Sequence, residues 1–189
     1  ATIDVKSFDL KTLTSTVNMR IDEGTNPLVK IGLEGTYDHE KKDFTGSGKA
    51  ELLRQVLVAK DVGPKGYSFY IEPCTAISAE VQANRLTKAE GTLGASVHDK
   101  KGEFLTVGAK GTYSKNDDGD KLSIDGAMLV TRETHMIDGP NGYSVHLIPG
   151  ASGGLVRIVD NELQELGGTI STRVDKDGKP FASISLAGT

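Results

Sequence analysis

Gly91 to Thr131 reads GTLGASVHDKKGEFLTVGAKGTYSKNDDGDKLSIDGAMLVT, and three of its runs alternate apolar and polar residues. Leu93, Ala95 and Val97 share one face of the first. Leu105, Val107, Ala109, Gly111 and Tyr113 share one face of the second. Leu122, Ile124, Gly126, Met128 and Val130 share one face of the third. Successive side chains on a strand point to opposite faces, so each run has one apolar and one wetter side. The connecting stretches, His98 to Glu103 and Ser114 to Lys121, are rich in turn residues, and each contains a Gly able to take positive φ. The stretch therefore predicts an antiparallel meander.

The same pattern extends in both directions. Leu13, Ser15, Val17, Met19 and Ile21 alternate with polar residues, and Asp22 to Pro27 closes that run with turn chemistry. Val29 to Tyr37, Tyr67 to Ile71, Ile77 to Ala83 and Tyr143 to Leu147 read as further strands. Tyr37 and Phe44, Val97 and Phe104, and Val174 and Phe181 each bracket six turn-type residues. Their unequal intervals argue against a true repeat, which holds a fixed period, and predict three separate hairpins. Two stretches read as helix. Leu52, Leu53, Val56 and Leu57 make a short stripe within 49–61. Leu155, Ile158, Val159, Leu163 and Leu166 fall at 3.6 spacing behind Ser152, with Gly167 and Gly168 at the far end. The predicted fold class is all-β, a mainly antiparallel sandwich or barrel built from hairpins, with one or two short helices.

A length of 189 residues fits a single all-β domain over 1–189 and is enough to bury a core without disulfides. Residues 1–11 read either as an extended arm that adds to a neighbour or as a strand covering the chain's own sheet edge. Cys74 is the one cysteine and reads as a small buried hydrophobe. Net charge is −4 with both signs interleaved, so no basic patch supports nucleic-acid binding. No apolar run approaches the ~20 residues of a membrane-spanning helix, and the chain reads as soluble. Ala1 is consistent with Met removal or with signal cleavage; the expectation favours the first, in a cytoplasmic or virion setting.

Candidate chemistry is sparse. Asn116, Asp117, Asp118 and Asp120 gather oxygen ligands of the kind a hard cation takes, but no Glu stands at the twelfth position of a calcium loop, and the stretch reads first as a solvated hairpin tip. Ser152, Gly153 and Gly154 would form an anion site at the predicted helix N-terminus, although the Lys of a phosphate-binding loop is missing. His135, Asp138 and His146 flank one turn and would supply a base with its orienter. His39 and His98 fall in hairpin turns. No cofactor is implied.

The Gly- and Ala-rich apolar faces leave less area to bury than a Val/Ile/Phe-rich sheet, a deficit that subunit contacts would recover. The leading expectation is a non-enzymatic structural protein, a homo-oligomeric β subunit of a tube, shell, virion or surface filament. The alternative is a β-barrel holding a small apolar ligand or lipid. Third is a hydrolase or isomerase using His135, Asp138 and His146.

Overall fold

A computed structural model describes residues 2–6, 9–63, 65–116, 119–150 and 152–189. In chain order the strands are β1 (Thr2–Lys6), β2 (Asp9–Glu23), β3 (Asn26–Asp38), β4 (Asp43–Leu52) and β5 (Val56–Val62). Then come β6 (Tyr67–Ile71), β7 (Ala76–Gln82), β8 (Arg85–Asp99), β9 (Gly102–Asn116) and β10 (Gly119–Val130). The chain continues with β11 (Thr134–Asp138), β12 (Tyr143–Leu147), β13 (Gly153–Val159), β14 (Glu162–Lys176) and β15 (Lys179–Gly188). Every pairing with a resolved register is antiparallel. Among the described residues the only helical element is a 3₁₀ turn at Pro140–Gly142, and no helix is long and apolar enough to cross a membrane.

Both predicted helices are strands. Leu155 to Leu166 is a hairpin: β13 and β14 pair Leu155 with Gly167, Val156 with Leu166 and Ile158 with Leu163. The turn between them, Asp160 and Asn161, has φ of 50° and 72°. Two consecutive positive φ values make a tight hairpin turn that Asp and Asn tolerate and a right-handed helix cannot contain. The 3.6-spaced stripe arises because a short apolar run satisfies both periods. At 49–61, β4 runs to Leu52 and β5 starts at Val56; β-branched Val56, Val58 and Val62 suit a strand paired to Tyr67 through Ile71.

The chain forms two compact units. The first comprises Ala1–Gln55, Glu72–Leu93 and Lys110–Ser123; the second comprises Val56–Ile71, Gly94–Ala109 and Ile124–Thr189.

In the first unit the strand order begins β1-β2-β3-β4-β7-β8. Thr2–Lys6 pairs with β2 of its own chain, so this segment covers its own sheet edge; Ala1, Ser7 and Phe8 of the predicted arm lie outside the described residues. The registers carry one apolar row from strand to strand. Val17, Met19 and Ile21 oppose Leu33, Ile31 and Val29. Leu33, Ile31 and Val29 oppose Gly48, Ala50 and Leu52. Gly48 and Ala50 oppose Ala79 and Ile77. The other face is polar: the Thr14 and Thr36 hydroxyls are 3.0 Å apart, Ser47 Oγ donates to Glu34 at 3.0 Å, and Lys49 pairs with Glu51 at 3.4 Å. This is an amphipathic sheet, as period-two alternation dictates.

The second unit orders β10-β13-β14-β12-β11, with β15 beside β14 on its other edge, and β5-β6-β8 pairing alongside. Phe104 and Val130 are its buried apolar residues, and among the described residues of the whole chain they are the only large apolar side chains so classed. Phe104 packs against the Tyr67 ring at 5.4 Å between centroids. Polar clasps supplement this small core. Arg132 donates to Asp99 Oδ1 at 2.5 Å and to the Gly102 carbonyl at 3.0 Å, tying the β8–β9 turn to the segment after β10. The substantial core expected from chain length is therefore missing among the described residues.

Candidate functional site

The pairing of β11, β12 and β14 brings polar side chains of distant sequence together within the second unit. His135 lies opposite His146, and His146 opposite Arg173. Asp138 lies opposite Ser144, and Ser144 opposite Asp175. The sequence-predicted trio is thus assembled: His135 Nε2 is 2.8 Å from Asp138 Oδ1, and the rings of His135 and His146 are 5.2 Å apart. Lys65 Nζ adds a contact of 3.1 Å to His135 Nδ1.

The centre of the cluster is a residue that the sequence reading missed. Arg173 donates from Nη1 and Nη2 to both oxygens of Glu133 at 2.9 Å, and from Nε and Nη2 to Asp175 at 2.7 and 3.0 Å. Hydrogen bonds from Arg173 hold the Asp175 carboxyl below its ordinary value, and the same pair raises Arg173 above its own. Asp175 is buried. The imidazole of His146 sits between the carboxylates, with Nδ1 3.4 Å from Glu133 and Nε2 3.5 Å from Asp175.

Ser144 Oγ is 3.2 Å from His146 Nε2, which completes a Ser–His–carboxylate connectivity with Glu133. Two observations weigh against reading it as an activated nucleophile. Both Glu133 oxygens are already occupied by the Arg173 fork, leaving it a poor orienter of the imidazole. And the same contact recurs between Ser96 and His98 at 3.0 Å, where His98 is packed on the Tyr70 ring. A Ser two residues before a His on a strand shares its face by geometry alone. The cluster is a closed ion network in which each strong group satisfies another.

The remaining candidates are dispersed. Ser152 is buried, but its hydroxyl donates to the Ser171 carbonyl at 3.1 Å and accepts from the Ser171 N–H at 2.8 Å. Gly153 and Gly154 open β13, so no helix N-terminus stands there to bind an anion. In the acidic loop, Asp120 pairs with Lys115 at 3.7 Å; Asp117 and Asp118 lie outside the described residues. Cys74 is exposed rather than buried. His39 is exposed in its turn, whereas His98 belongs to β8.

The first unit offers surface rather than chemistry. On its apolar face Val17, Met19, Ile21, Leu33 and Ile77 are all exposed, Ile77 to 60%. A cavity of 360 Å³ on this unit is lined by Val17, Leu33, Phe44, Gly48, Ala79 and Val81. Glycines make room for it. A Cβ at Gly46 would stand 2.7 Å from Phe44 Cζ, so the bare backbone at Gly46 leaves room for the Phe44 ring.

No protein-family model, curated protein or solved structure matches this chain.

Proposed function

We propose that this protein is a non-enzymatic structural subunit that works by self-association, as the repeating β unit of a tube, shell, virion or surface filament. The observation that carries the reading is the apolar row of the first unit, continuous from strand to strand, in which Val17, Met19, Ile21, Leu33 and Ile77 are all exposed. A contiguous exposed apolar row of this kind marks an interaction site, because leaving it in water forgoes roughly 25 cal/mol per Å². The ion network of the second unit fits the same reading: Arg173 ties β14 to Glu133, the residue before β11, and to Asp175 of its own strand, so these three charged groups are engaged with one another.

The experiment is charge reversal of character on the apolar face. Val17→Lys combined with Leu33→Lys places opposed ammonium groups in the middle of the row. The doubly substituted chain should keep its β circular dichroism and lose its association, with at least a tenfold weaker dissociation constant than the parent. Unchanged association would remove the face from the account. A second reading has its own observation: the 360 Å³ cavity falls in the range of small-ligand sites. An apolar molecule co-purifying with a strictly monomeric parent would favour that binder instead.

A further inference from the structure

Strands at a sheet margin present unpaired N–H and C=O groups, and proteins blunt such margins with short length, charge, proline and bulges. Among the described residues β1, β5, β11 and β15 each have a single strand partner. The first three are blunted. β1 is five residues long and shifts register between Asp4 and Val5. β11 is five residues long, carries His135 and Asp138, and shifts after His135. β5 carries Lys60 and Asp61, shifts register on both sides of Ala59, and has Asp61 at φ 55°.

β15 has none of these protections over most of its length. It is ten residues long, KPFASISLAG, with its only charge at Lys179 and its proline at position 180. From Ala182 to Gly188 its register with β14 is unbroken. Every residue of the strand is exposed, Leu186 to 68%.

Resting on the self-association reading, we infer that β15 is a docking edge, and that its occupant is β15 of a second copy, paired antiparallel about a twofold axis. The sequence of the edge selects this partner. Ala182, Ile184, Leu186 and Gly188 alternate with Ser183, Ser185 and Ala187. Pairing the whole stretch with itself places Ser185 opposite Ser185 and Ile184 opposite Leu186, so each face keeps its character across the axis. The inner edge already shows this matching: Ser171 opposes Ser185 with hydroxyls 2.7 Å apart, and Ile170 opposes Leu186. Being uncharged, the stretch meets its copy without like charges opposed. An isologous pairing closes after one operation, using up the edge in each protomer.

Adjacent residues of a margin strand direct their N–H groups alternately inward and outward. Of Ser183→Pro and Ile184→Pro, one therefore strikes the β14 ladder and loses stability, while the other removes only an outward N–H and keeps the parent's melting temperature. The folded variant should show at least a tenfold weaker dissociation constant for self-association by sedimentation. If it associates as the parent does, the edge inference falls while the self-association reading stands; if the parent never associates, both fall. Should neither proline variant fold, Ser185→Cys in a Cys74→Ser background decides. Directly opposed residues have Cα atoms about 4.5–5.5 Å apart, within disulfide reach. Mild oxidation should then yield a disulfide-linked dimer from Ser185→Cys and none from Lys179→Cys; no dimer from Ser185→Cys overturns the inference.

Discussion

The two units solve the same problem differently. Both are built from antiparallel ladders. The second unit buries Phe104 and Val130, and it converts part of its polar side into a network around Arg132 and Arg173. The first unit buries no large apolar residue among those described, and its apolar row from Val17 to Ile77 stands in water. The difference teaches that a chain can pair its strands into continuous ladders while leaving hydrophobic burial unfinished. Ladder pairing needs only a neighbouring strand, whereas face burial needs a second layer, and among the described residues the first unit shows none of its own: the principal contacts of β2, β3, β4 and β7 are with hydrogen-bonded neighbours.

The sharpest test of that contrast is truncation in each unit, measured on dilute, dissociated protein. Phe104→Ala should cost about 3–5 kcal/mol in urea denaturation, as large-to-small changes in a packed core do. Leu33→Ala, at a residue 45% exposed, should cost under about 1 kcal/mol in the same assay. Equal costs would mean that the first unit is closed by a core of its own, and the contrast would break.

A smaller effect concerns acid. Arg173 depresses the Asp175 carboxyl in the folded state. The stability this contributes is fully present above the unfolded carboxylate value of about 3.9, and is lost as pH falls through the lower folded value. Amides of β12 and β14 should therefore lose hydrogen-exchange protection below about pH 4, the unfolded carboxylate range, while Asp175→Asn removes that acid limb. An identical acid limb in the Asn variant would assign the loss to other carboxylates.

The fold class was legible because period two survives in nearly every segment, and the hairpins closing at Phe44, Phe104 and Phe181 follow from their turn residues. The helix at Leu155 to Leu166 was misread for a local reason. Asp160-Asn161 carries a left-handed turn signal, and Gly153-Gly154 and Gly167-Gly168 mark strand ends where backbones approach closely: a Cβ at Gly168 would stand 2.8 Å from the Gly153 carbonyl. His135, Asp138 and His146 were legible as neighbours because a single turn joins their strands. Arg173, Asp175 and Glu133 were not, because β12 pairs with β14 across the intervening β13, a non-local contact that no spacing in the sequence encodes. That the apolar row stays uncovered was equally hidden, since alternation reports which side is apolar and says nothing about what lies against it.

The central claim is that the chain completes its burial by associating with itself. Sedimentation equilibrium of the unmodified protein across a wide concentration range tests it most directly. The account predicts a weight-average mass that rises with concentration to multiples of 20.0 kDa. A single species of 20.0 kDa at every concentration, with the β signature intact, would contradict it.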